Sequence, residues 1–271
     1  MRRIILNLSA FAMLCFIASP VAAIELDVSQ ITAINFSTGN NPVSVTTAAT
    51  TTAAVTSDVG CQVDFSIAMN SGVLTFEPSD SEQQCPVLLV VPENFASLKI
   101  ESSNGSITFT GNLKNLEIAG DNGTATVTNS SFDSLVVSNT NGAVLLDTVS
   151  ANRTNLKSVN AGVTVAKLSS PFSVEATNGK LRMSKITVPN GSRNSIRKTN
   201  GNVLVNGIKV IPPLRERKAR VTLTTKTVNG DVKVANKALF NRRRSLTSSL
   251  GTGRVRARLS ISTINADITV R

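Results

Sequence analysis

Leu98-Lys99-Ile100-Glu101-Ser102-Ser103-Asn104-Gly105-Ser106-Ile107-Thr108-Phe109 places an Asn-Gly corner between two stretches in which apolar residues alternate with polar ones. The pattern returns along the chain. Asn-Gly, or Asn-Ala in its place, stands at 104-105, 122-123, 141-142, 160-161, 178-179, 200-201, 229-230 and 265-266, at spacings of 18, 19, 19, 18, 22, 29 and 36 residues. Six and four residues before the Asn lie pairs such as Leu98 and Ile100, Leu116 and Ile118, Leu135 and Val137, Phe172 and Val174, and Leu259 and Ile261. Two and four residues after the Gly or Ala lie Ile107 and Phe109, Val163 and Val165, Val203 and Val205, and Ile268 and Val270. Each unit therefore reads as two short strands with inward residues at period two, joined at the corner.

Asn-Gly between alternating strands is also the signature of a hairpin, and a series of hairpins would build an antiparallel sandwich. A near-constant period with the corner always in the same place fits a β-solenoid better, in which each unit is one coil and equivalent strands stack in parallel. The expected fold class is all-β, a single-stranded parallel β-solenoid of about eight coils with an N-terminal β cap. Stacked corner Asn side chains could then bond along the stack as a ladder. A narrow coil also suits a chain with 10 Phe but no Trp and no Tyr.

Units such as Thr227-Val228-Asn229-Gly230-Asp231-Val232, Thr199-Asn200-Gly201-Asn202-Val203 and Thr263-Ile264-Asn265-Ala266-Asp267-Ile268 resemble the repeats of the bacterial adhesin-type, auto-transporter-like domain family. Val87-Leu88-Leu89-Val90-Val91-Pro92 followed by Leu98-Lys99-Ile100 is similar to the way such domains enter their first coil. The resemblance covers residues 60 to 271 and implies an exported β-solenoid. It brings no shared catalytic or binding residues with it.

Arg2 and Arg3 precede an apolar run from Ile4 to Ile17, and Ala18-Ser19-Pro20-Val21-Ala22-Ala23 supplies the small residues of a cleavage site. Residues 1–23 thus read as a secretory signal peptide, too short in its apolar core for a membrane span, and the expected location is periplasmic, outer-surface or secreted. Cys15 would leave with the signal. Cys61 and Cys85 remain, and in an exported chain a disulfide between them is the default over two buried thiols. The expected division is a β cap over 24–95 carrying that bond, then solenoid repeats over 96–271 with insertions near 206–220 and 235–253. The last strand, Ile268 to Arg271, would form the far end of the stack, shielded by arginine repulsion, by an insertion folded over it, or by a partner.

The chain has no His, which removes Ser-His-Asp and Cys-His machinery and the ordinary His-bearing metal sites. Its net charge of +11 is divided unevenly. Residues 24–150 hold 13 Asp and Glu against Lys99 and Lys114, whereas residues 151–271 hold 24 Lys and Arg against four acids, a net of +20. Alternation in Arg254-Val255-Arg256-Ala257-Arg258-Leu259 turns the three arginines to one outer face, and the same parity turns Lys180, Arg182, Arg197 and Lys233 outward. The insertions add Arg215, Arg217, Lys218, Arg220, Arg242, Arg243 and Arg244. Together these form a candidate multivalent site for phosphate, carboxylate or sulfate groups, weighed against a solvated face that only keeps the protein soluble.

An exported chain without stacking aromatics argues against nucleic acid and for an anionic polysaccharide, lipopolysaccharide or another envelope component as partner. Self-association of an acidic half with a basic half is the alternative function. A carbohydrate-active enzyme needs paired carboxylates, and Asp231 and Asp267, each directly after a corner residue, are the best pair available. Corner aspartates more commonly serve turns. The chain is therefore expected to be non-catalytic, with no cofactor and no metal.

Overall fold

Equivalent residues of successive repeats lie side by side in parallel strands: Leu116 is opposite Leu98, Ile118 opposite Ile100, and Val163 opposite both Val144 and Leu181. A run of hairpins would instead pair antiparallel across each corner, so the register decides for the solenoid. The computed structural model describes residues 4–6, 23–57, 61, 63, 65–78, 84–211, 219–229, 231–234, 245–250 and 255–271, and every regular element among them is a β-strand. The chain packs as two units that divide after Leu135.

The first unit contains β1 (Ile4–Leu6), β2 (Ala23–Asp27), β3 (Ala33–Ser37), β4 (Val43–Ala48), β5 (Thr52–Ser57), β6 (Phe65–Asn70), β7 (Val73–Pro78), β8 (Val87–Pro92), β9 (Phe95–Ser102), β10 (Ile107–Gly120) and the start of β11 (Ala125–Asn139). On one side of the corner the parallel order is β7–β3–β9–β10, and on the other it is β8–β4–β10. The coil formed by β3 and β4 thus lies between that of β7 and β8 and that of β9 and β10, although it precedes both in sequence. Parallel coils in register with the later repeats therefore begin well before residue 96. They are flanked by antiparallel strands, β6 on β7, β5 on β8 and β2 on β5, while β1 runs parallel to β2.

Period-two burial places Ile34, Phe36, Leu74, Phe76, Leu98 and Ile100 inside. The Phe36 ring packs 5.3 Å from those of Phe65 and Phe76. The Cys61–Cys85 disulfide is formed, with Cα atoms 5.4 Å apart. Its Cys85 end lies against the corner between β3 and β4, where the Cys85 amide donates to the buried Asn41 Oδ1 at 2.8 Å and Asn41 Nδ2 donates to the Thr38 carbonyl at 3.0 Å. Coils approach closely there. A Cβ on Gly105 would overlap the Asn41 carbonyl, and one on Gly123 would overlap the Gly105 carbonyl.

The second unit contains β12 (Val144–Ser158), β13 (Val163–Val165), β14 (Leu168–Ser169), β15 (Phe172–Ala176), β16 (Leu181–Pro189), β17 (Arg193–Asn200), β18 (Val203–Ile211), β19 (Ala219–Asn229), β20 (Val232–Val234), β21 (Ser245–Leu250), β22 (Val255–Asn265) and β23 (Ile268–Val270). Before the corner the order is β12–β15–β17–β22–β19; after it, β12–β13–β16–β18–β23–β20. The coil of β22 and β23 is therefore held between its neighbours. This corrects the expectation that Ile268 to Arg271 forms an open end: β23 is paired on both sides, by β18 and β20. The outer edge of β19 is taken by β21, which comes from the 235–253 insertion and runs antiparallel. Tucking the last coil inside satisfies both of its backbone ladders and leaves an antiparallel strand, rather than a parallel one, at the edge.

Corner asparagines bond along this spatial order and not along the sequence. In the first unit Asn104 donates to Asn40, and Asn122 to Asn104 at 2.7 Å. In the second, Asn160 donates to Asn141 at 2.8 Å, Asn178 to Asn160 at 2.9 Å, Asn200 to Asn178 at 2.9 Å, Asn265 to Asn200 at 3.0 Å and Asn229 to Asn265 at 2.9 Å.

Candidate anion-binding face

Outward residues of β12, β15, β17, β22 and β19 fall into columns because the strands are in parallel register. One column runs Lys157, Glu175, Arg197, Ser262 and Lys226. A second holds Ser173, Ser195, Ser260 and Thr224, with Ser173 and Ser195 hydroxyls 3.0 Å apart. A third brings Arg193 beside Arg258 and Thr222. Lys157, Arg193, Arg197, Arg258 and Lys226 are all exposed. Strands stand about 4.8 Å apart and alternate outward residues nearly 7 Å apart, so these cations are spaced on the scale of successive charges of a polyanion.

Glu175 is the acid within the columns. It pairs with Arg197 at 3.4 Å, both side chains being more than half exposed, an arrangement that contributes less than about 1 kcal/mol and leaves the face basic. A row of small hydroxyls between two basic columns gives a shallow, flat face whose arginines can fork onto carboxylate or sulfate oxygens while the serines and threonine donate or accept singly.

Of the ten residues expected at this site, Arg258 lies in the columns. Arg220 is half-buried on β19 opposite Arg256, with its Nε shielded and without a hydrogen-bond partner. Arg256 is on β22, and its side chain lies outside the described residues, as do Arg215, Arg217, Lys218, Arg242, Arg243, Arg244 and Arg254. Lys180, Arg182 and Arg197 are exposed. Sequence reasoning missed Lys157, Arg193 and Lys226. Their outward parity was legible, but Arg193 meets Arg258 only because β22 is seated next to β17.

Asp231 and Asp267 do lie on adjacent coils. The Asp267 Oδ1 accepts the Asp231 amide at 2.9 Å, and the Asp231 carbonyl accepts the Ile268 amide at 2.8 Å, so both residues serve the turn. Among the described residues there is no cluster of three or more metal-ligating side chains, and no helix long and apolar enough to cross a membrane.

Equivalent strands stacked in parallel register, coil upon coil, define an all-β solenoid of the repeat class. Residues 21–271 match the model of the family described as Toastrack DUF4097, and the chain belongs to that family. No curated protein matches it. Among solved structures it is similar to a candidate cell adhesion protein from Clostridium sporogenes ATCC 15579, at 10% identity over 89% of this chain and 92% of that one. The TM-score is 0.24, too low for the likeness to carry an argument.

Proposed function

We propose that this protein is an exported, non-catalytic, adhesin-like solenoid that binds anionic polymers of the cell envelope or its surroundings through the basic columns that cross β12, β15, β17, β22 and β19. The observation that carries the reading is the alignment of Arg193 with Arg258 and of Lys157, Arg197 and Lys226 in columns with one acid among them. The signal-type N-terminus and the Cys61–Cys85 bond support export. Self-association edge to edge is disfavoured where β21 covers β19 with an antiparallel strand.

The test is retention on immobilised dextran sulfate. The exported chain is expected to elute only at raised salt, and the triple variant Arg193→Gln, Arg197→Gln, Arg258→Gln to bind about tenfold more weakly with a shallower salt dependence. Elution of both proteins at the same salt concentration overturns the reading.

A further inference from the structure

A groove of about 380 Å³ opens on the other side of the corner, across the outer face of β16, β18 and β23. Its size is within the range of small-ligand sites. Three cations rim it: Lys180 and Arg182 from one coil, and Arg271 from the intercalated last coil. Leu204 stands between Arg182 and Thr269 in the same outward column, half-buried, and gives the groove an apolar patch. Asn202 and Asp267 complete it on the corner side.

Backbone bonds fix the main chain of Arg271 and the carboxylate of Asp267. The Arg271 amide donates to the Val205 carbonyl at 2.9 Å and its carbonyl accepts the Gly207 amide at 2.9 Å. Asp267 is fixed through Oδ1 by the Asp231 amide at 2.9 Å. A fixed carboxylate among three cations is a selective element. It repels a bare sulfate, whose oxygens only accept, and it rewards a ligand that presents hydroxyl donors next to its charge. Arginine forks match a carboxylate bidentately, Leu204 can lie against the C–H face of a sugar ring, and Asn202, Thr269 and Asp267 can meet ring hydroxyls.

We infer that this groove is a subsite for a carboxylated sugar residue of an acidic polysaccharide. The inference rests on the polyanion reading above and deepens it. The columns of β17 and β22 hold charge in general, and the groove selects uronate units along the chain.

The experiment compares two probes on the exported protein, an oligogalacturonate by calorimetry and dextran sulfate by salt elution. Arg182→Gln is expected to weaken oligogalacturonate binding about tenfold and to leave dextran sulfate elution nearly unchanged. Asp267→Asn is expected to narrow the preference for oligogalacturonate over a sulfated oligosaccharide of the same length. Thr269→Ala, a smaller change at a half-buried position of the site, is expected to reduce oligogalacturonate affinity several-fold with unaltered circular dichroism, which guards against a folding artefact. Intact dextran sulfate retention with oligogalacturonate binding indifferent to Arg182 and Thr269 overturns the groove assignment alone. Failure to bind either probe overturns the polyanion reading with it.

Discussion

A chain ending at Leu250 is expected to lose both coils that flank the missing one. β22 and β23 bury Leu259, Ile261, Ile268 and Val270 to 1% exposure or less. At about 1.5–3 kcal/mol for each buried side chain, their removal costs roughly 6–12 kcal/mol, comparable with the whole stability of a domain. Hydrogen exchange distinguishes this from simple fraying. In an ordinary solenoid the last coil in sequence is the last in space, and deleting it leaves the preceding coils protected. Here β19 loses β22, its one parallel neighbour among the described residues, so its amides are expected to exchange about a hundredfold faster or more, along with those of β17. Unchanged protection of β19 in the truncated chain would show that β22 is not seated beside it.

Lys198→Thr is expected to stabilise the protein by about 1–3 kcal/mol at neutral pH. Lys198 is on the inward face of β17 at 3% exposure, and its Nζ has no hydrogen-bond partner. Its row neighbours on the adjoining strands are Ala176 and Thr263, neither of which titrates. Other coils place a hydroxyl at this position and use it to cap the corner three residues on: Ser102 donates to the Gly105 carbonyl at 2.7 Å, Ser158 to that of Ala161 at 2.8 Å, and Thr263 to that of Ala266 at 3.2 Å. A threonine at 198 would meet the Gly201 carbonyl in the same way.

Burial lowers the Lys198 ammonium from its ordinary 10.5 to about 8. The sign of the pH effect follows from which state holds the proton. Below about 8 the group is charged in folded and unfolded chains alike, and the cost of burying the charge is fully present. Between about 8 and 10.5 the folded chain has released a proton that the unfolded chain still binds, so this residue's contribution to stability rises with pH, by up to about 1.4 kcal/mol per unit. Urea denaturation of both proteins from pH 7 to 10.5 should therefore show the advantage of Lys198→Thr shrinking as pH rises. An advantage that is constant or grows with pH would mean that the ammonium is solvated in the folded state.

Much of the stack is written locally. Leu98, Ile100, Ile107 and Phe109 reveal their inward faces by parity alone, and the recurring Asn marks the corner of each repeat from Asn104 onward, because both signals need only a few consecutive residues. The order of the coils is not written that way. Asn200 could receive Asn229 or Asn265 equally well, since the two units share the same corner chemistry, and the spacings of 29 and 36 residues are the only trace of the detour. The basic face suffers from the same ambiguity. Arg258 reads as outward from its own strand, but its neighbour Arg193 is revealed only once β22 is known to lie on β17. Two residues before the corner Asn stands a hydroxyl in four of the eight units, Ser102, Ser158, Thr227 and Thr263, and Gly120, Asn139, Ala176 or Lys198 in the others. Lys198 is the one ionisable side chain among these eight positions.

The intercalated coil also has a consequence for the time course of folding. Most corner asparagines bond a neighbour 18 to 22 residues away, whereas Asn265 reaches back 65 residues to Asn200. β19 is synthesised before the strand that will separate it from β17, so the growing chain cannot simply zip up coil by coil. A gap has to be kept, or reopened, until β22 arrives. Closing so long a loop is slow compared with adding the next repeat, and refolding should show a late phase confined to β17, β19 and β22 after the earlier coils have formed.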